Sequence, residues 1–86
     1  TEMGRPKDAL KILEKASLTD KSDKILYRIG KLKYQLGDFK ESVKFLEKAI
    51  ELDSQKAIYH ATLAEVLLQL NEYEEAADYA LTSIEL

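Results

Sequence analysis

The chain contains no cysteine, a single proline and three glycines, and its basic residues stop at Lys56. Without cysteine, neither a disulfide framework nor a thiolate metal site can be built. That absence fits a reducing compartment, so a cytoplasmic location is the expectation. No stretch approaches the roughly 18 apolar residues that a membrane-crossing helix needs. No charged segment followed by an apolar core marks a signal peptide either. The first residue is Thr1 rather than methionine, which gives the expectation of a piece taken from something longer. Eighty-six residues are enough for one small domain that buries around two-thirds of its unfolded surface.

Charge is unevenly placed. Residues 1–56 hold thirteen bases and ten acids, a net of +3, whereas residues 57–86 hold six acids and no base, a net of −6. A nucleic-acid track needs Lys and Arg along its whole path, so the acidic second part argues against one. The split reads either as solvated helix faces or as a dipolar body with a basic and an acidic end.

What is present is an internal repeat. At an offset of 34, Ile29 meets Leu63, Gly30 meets Ala64, Gln35-Leu36-Gly37-Asp38-Phe39 meets Gln69-Leu70-Asn71-Glu72-Tyr73, and Ser42 meets Ala76. At an offset of 33, Asp8-Ala9-Leu10-Lys11-Ile12-Leu13-Glu14-Lys15-Ala16 echoes Glu41-Ser42-Val43-Lys44-Phe45-Leu46-Glu47-Lys48-Ala49. Apolar spacing of three and four predicts helices near 5–18, 23–36, 39–52, 57–70 and 73–86. Pro6 fits a first turn, where its missing N–H costs nothing. Gly37 and Asn71 suit the left-handed residue after a helix end, and Asp38 can cap the helix that follows. The domain expected is single, over 1–86, with a half repeat at 4–22, a repeat at 23–56 and a repeat at 57–86 truncated at its end.

A fixed period of this length marks units that cannot bury an apolar face alone and must stack. The fold expected is all-α, a solenoid of about five antiparallel helices. Gly30, Ala64, Ser42 and Ala76 allow close helix approach. Leu13, Leu26, Ile29, Phe39, Val43, Leu46, Ile50, Leu63, Leu67, Tyr73 and Ile84 are the expected core, each full burial contributing roughly 1.5–3 kcal/mol. Lys33 is expected to lay its stem over the core with its ammonium in water.

The period, the small residue midway along each first helix, and the turn residue followed by an aromatic (Gly37/Phe39, Asn71/Tyr73) resemble the tetratricopeptide repeat family from Gly4 to the C-terminus. Departures are Leu26 and His60 in a usual aromatic slot, Ser54 in a usual proline slot and Lys33 in a usual apolar slot. The resemblance implies a concave face lined by first helices that binds a protein or peptide. The matching positions are Lys24, Tyr27, Arg28, Lys31 and Tyr34 from one unit, and Ile58, Thr62, Glu65 and Leu68 from the next. An acidic ligand with an apolar anchor would complement them. Some members grip chaperone C-terminal carboxylates through Lys, Asn and Arg. Those slots hold Tyr27, Lys31 and Thr62 in one frame and Arg28, Ile58 and Thr62 in the other, so that adaptor role is disfavoured.

The alternative is a structural module that associates end to end, through Ala80, Ile84 and Leu86 on the last helix. No phosphate loop, metal-ligand spacing or nucleophile grouping is visible, so no enzyme, metal or cofactor is expected. His60, the single histidine, is expected as a packed neutral imidazole. Glu72, Glu74, Glu75 and Asp78 lack a calcium-loop spacing and are expected as charge that stabilises a helix start.

Overall fold

A computed structural model describes residues 6–19 and 22–86. Within them lie five helices: α1 Pro6–Thr19, α2 Asp23–Gln35, α3 Phe39–Leu52, α4 Ala57–Gln69 and α5 Tyr73–Glu85. The beginning of the expected half repeat, at Gly4 and Arg5, lies outside the described residues, as do Asp20 and Lys21 of the first connector. None of these helices is long and apolar enough to cross a membrane.

The two hairpin turns are built alike. Gly37 has φ 84° and Asn71 has φ 62°, the left-handed conformation that glycine and asparagine enter most readily. The turn after α2 is closed by Asp38 N–H donating to the Lys33 carbonyl at 2.8 Å and Gly37 N–H to Tyr34 at 3.0 Å. The turn after α4 repeats this, with Glu72 N–H to Leu67 at 2.9 Å and Asn71 N–H to Leu68 at 3.1 Å. This double bond satisfies carbonyls that a helix end leaves unpaired. Turns this short force α2 against α3 and α4 against α5 as antiparallel pairs.

Caps depart from expectation. Asp38 makes no side-chain cap bond at the start of α3; its carboxylate lies 4.0 Å from the Lys33 ammonium instead. Ser22, in the connector before α2, is the side-chain cap, its Oγ accepting from Ile25 N–H at 3.3 Å.

Close approach is sharpest at Gly30. A Cβ there would stand 2.9 Å from Leu46 Cγ and 3.3 Å from the Ser42 carbonyl oxygen. Ser42 Oγ donates to the Gly30 carbonyl at 2.7 Å, fully buried. In the second hairpin the corresponding Ala64 and Ala76 are both buried. Around these contacts, Leu46, Leu63, Val66, Leu67 and Ala76 form one core cluster, and Leu26, Ala49 and Tyr59 form a second.

Two expected core residues are not core. Tyr73 is 63% exposed, because its hydroxyl donates to Asn71 Oδ1 at 2.9 Å across the turn. Its counterpart Phe39 has no such group and packs on Tyr34, ring centres 5.6 Å apart. Ile84 is 79% exposed, since α5 packs on α4 alone among the described helices. Lys33 does lay its stem on the core, but its ammonium is 3.9 Å from Glu14 as well as near Asp38. It ends against carboxylates rather than in water alone.

Candidate functional site

Helices α2 and α4 are the first helices of successive repeats, and their equivalent faces lie side by side. The seam between them is fastened by two tyrosines. The Tyr27 hydroxyl is 3.1 Å from Thr62 Oγ1, and the Tyr27 ring stacks on Tyr59 at 4.8 Å. Tyr59, buried, donates its hydroxyl to Asp23 Oδ2 at 2.5 Å, and the Lys56 ammonium sits 5.9 Å from its ring centre. The hydrogen bond from Tyr59 holds the Asp23 carboxyl below the usual carboxylate range. Burial, followed by the Asp23 bond, pushes the Tyr59 phenol above its ordinary value. Both shifts favour the neutral phenol on an ionised carboxylate.

Beside this seam is a hollow of about 240 Å³. Tyr27, Lys31 and Tyr34 line it from α2, and Ile58, Thr62 and Glu65 from α4, with Gln35 and Ala61 between. A second hollow of about 420 Å³ lies on the other side of α2, where Arg28 joins Tyr27 and Lys31 opposite Ala9 and Leu13 of α1. Tyr27, Lys31 and Gln35, spaced by four, form the ridge shared by both. Lys24 and Leu68 are exposed and line neither hollow. Lys31 faces Glu65 across the smaller hollow, so its rim carries both signs, whereas the larger has bases only.

Ile84 on α5 and Leu86 just after it are exposed, and Ala80 is half-buried. His60 is buried, with Nε2 at 2.9 Å from the Ser54 carbonyl oxygen. A carbonyl only accepts, so Nε2 carries the proton. Nδ1 is buried without a hydrogen-bond partner, and the ring lies 5.9 Å from Tyr79. Among the described residues no three His, Cys, Asp or Glu side chains are grouped to hold a metal ion.

Sequence reasoning missed Tyr59 and Asp23. Tyr59 aligns with Ile25 at the 34-residue offset, so the repeat itself gives no sign of a phenol there. A sign did exist in α4, where His60, Thr62 and Glu65 are the only polar residues between Ala57 and Leu68, too few for a helix with one solvated face.

The family described as anaphase-promoting complex, cyclosome, subunit 3 matches residues 2–82. The chain belongs to this family. Its repeats are of tetratricopeptide type. Over 76 residues it is 34% identical to cell division cycle protein 27 homolog A of Arabidopsis thaliana, a match covering 87% of this chain and 11% of that protein. The family segment described here therefore spans about a tenth of that relative's length. Two crystal structures of MamA share the fold, with TM-scores of 0.92 and 0.91 at 24% identity. Each match covers 95% of this chain, against 48% and 45% of the MamA chains. At that identity the likeness concerns the fold alone.

Proposed function

We propose that this chain is a non-catalytic protein–protein interaction segment that holds a peptide or protein strand of a partner across α2 and α4. The observation that supports this reading is the smaller hollow, where Tyr27, Lys31, Tyr34, Ile58, Thr62 and Glu65 converge. Tyrosine and arginine bring large contact area at modest entropic cost. Tyr27 and Tyr34 wall a space sized for one apolar side chain; Lys31 on the shared ridge meets a neighbouring carboxylate, and Arg28 meets one where the strand crosses that ridge into the larger hollow. Membership in a family named for a subunit of a multiprotein complex agrees with a scaffolding role.

The test is an array of short peptides pairing an acidic residue with an apolar anchor, read by fluorescence anisotropy. Charge reversal at Arg28 and Lys31, or Ile58→Glu, is expected to weaken binding about tenfold or more, with the far-UV spectrum unchanged. Binding indifferent to these changes overturns the groove reading.

The exposure of Leu81 and Ile84 on acidic α5 and of Leu86 just after it favours a second reading, end-to-end assembly with a passive groove. Under it, Ile84→Lys with Leu86→Lys lowers the sedimentation coefficient at high concentration, and charge reversal at Arg28 and Lys31 leaves partner binding intact.

A further inference from the structure

The two hairpins differ at one position in a way that exposes a second surface, away from the groove. In the first hairpin Lys33 lies between α1 and α3. Its ammonium is 3.9 Å from Glu14 on α1, 4.0 Å from Asp38 at the start of α3, and 5.8 Å from the centre of the Phe45 ring. Its side chain is only 16% exposed. One cation thus ties together three elements and covers the apolar residues beneath it.

One repeat later the acceptors are all present. At the repeat offsets Glu14 becomes Glu47, Asp38 becomes Glu72 and Phe45 becomes Tyr79. The cation is absent, because Lys33 becomes Leu67, a short apolar side chain that is 4% exposed. Between α3 and the start of α5 a hollow of about 410 Å³ opens beside Leu67 and Glu72, with Glu47 and Tyr79 outside its lining. Val43, Leu67 and Leu70 give it an apolar lining, with Glu72 and Glu75 on the α5 side and Lys40 and Lys44 on the α3 side. The field is negative towards α5. Burial first, and then the charges of Glu47 and Glu75, push the Tyr79 phenol above its ordinary value. Lys44 is already paired with Glu41 at 3.4 Å, so it is engaged along its own helix.

We propose that this wedge is a docking site for a partner protein segment, which inserts a lysine or arginine side chain over Leu67 towards Glu72, the counterpart of the approach of Lys33 to Asp38 one repeat earlier. A long basic side chain suits both halves of the surface. Its methylene stem lies on Val43, Leu67 and Leu70, and its charged head reaches Glu72 and Glu75, as amphipathic cations do over apolar ground. Lys40 at the opposite lip selects an acidic residue beside the inserted base. The recognised chemistry is therefore a base and an acid close together on one polypeptide segment. Phosphate-bearing ligands are repelled by the α5 side.

The test uses the 86-residue chain, isotopically labelled for amide NMR, and blocked pentapeptides carrying one lysine and one glutamate. Saturable shifts are expected at Leu67, Leu70, Glu72 and Glu75. Replacing the peptide lysine by norleucine, which keeps the stem and removes the charge, is expected to weaken binding about fivefold, the scale of one exposed ion pair. A chain carrying Glu72→Gln with Glu75→Gln, both exposed positions, should bind the two peptides equally. Leu67→Lys supplies the cation from within and should abolish binding; if that variant does not fold, the glutamine variant carries the test. Equal binding of the lysine and norleucine peptides by the unsubstituted chain overturns the proposal. So do shifts confined to Tyr34 and Ala61 in the groove, no saturable shift at all, or wedge signals that move with chain concentration alone, which would make a second copy the occupant.

Discussion

Helices α2 and α4 hold equivalent places in successive hairpins but are chemically unlike. Lys24, Arg28, Lys31 and Lys33 on α2 correspond to Ile58, Thr62, Glu65 and Leu67 on α4. Only Leu26, Ile29 and Gly30 are buried on α2, whereas seven residues from Tyr59 to Leu67 are buried on α4. Both nevertheless end in the same left-handed turn and pack on their partner helices through a small residue. The polarity of these faces is therefore free to vary between repeats while the close contacts are kept. What a repeat presents to its surroundings is decided at the exposed members of this set, Lys24 against Ile58 and Lys31 against Glu65, whereas Lys33, Thr62 and Leu67 also hold the packing.

The most severe way to test that equivalence is to empty it. Ile29 and Leu63 are the same position in the two hairpins, and both are fully buried. Truncation of either to alanine is expected to cost about 2–5 kcal/mol, read by chemical denaturation. Equal costs in one cooperative transition mean that the hairpins fold as a unit; two transitions mean that they do not.

Next in size is overpacking. Gly30→Leu drives a branched side chain into Leu46, and Ala76→Leu does the same in the second hairpin, each at a cost of about 1–3 kcal/mol or more. Gly30 should be the worse of the two, because even a Cβ at that position is 2.9 Å from Leu46 Cγ. A melting temperature unchanged by either substitution contradicts the packing scheme.

The turns separate the hairpins more gently. Gly37→Ala places a Cβ at φ 84°, a strain of about 1–2 kcal/mol, with no neighbouring atom within 4 Å to add a clash. Asn71→Gly relieves the same strain in the second turn but removes the acceptor of the Tyr73 hydroxyl, so its net effect is expected to be small. Calorimetry on the two variants checks both signs.

The subtlest comparison is between acid and alkali. Asp23 is lowered in the folded chain, so its contribution is present above the unfolded carboxylate value near pH 4 and is lost as pH falls through the lower folded value. Tyr59 is raised, so its contribution is full below the unfolded phenol value near pH 10 and is lost as pH rises through the higher folded value. Tyr59→Phe should remove its own alkaline dependence and reduce the acid dependence due to Asp23. Denaturant midpoints measured across pH would reveal a variant that still tracks the unsubstituted chain, against this assignment.

The helices were legible in the sequence almost to the residue because their ends are written in backbone chemistry. Gly37 and Asn71 stop α2 and α4 wherever the chain goes afterwards. Gly30 and Ser42 were legible for a similar reason, since a small residue that recurs as another small residue at the repeat offset marks a close helix contact. The misreadings are at groups whose partners lie far along the chain or whose polarity competes with burial. Tyr73 reads as a second Phe39 until its hydroxyl finds Asn71. Lys33 reads as a solvated exception until Glu14, nineteen residues earlier, is brought beside it by packing. The Tyr59–Asp23 bond joins residues 36 apart at positions where the repeat has no echo. For the candidate groove, sequence correspondence alone named Tyr27, Lys31, Tyr34, Ile58, Thr62 and Glu65. It treated Arg28 as their neighbour, although Arg28 lies on the far side of the α2 ridge.

Within the first hairpin, α2 and α3 are joined backbone to side chain deep inside, by Ser42 on the Gly30 carbonyl. Between hairpins, α2 and α4 meet through the stacked rings of Tyr27 and Tyr59 and through their hydroxyls on Thr62 and Asp23. Beside them Leu46 of α3 packs with Leu63, Val66 and Leu67 of α4 in one buried cluster. The boundary between the repeats is therefore filled in the same way as the interior of each hairpin. A coil whose successive hairpins share their interior has no plane of weakness between them.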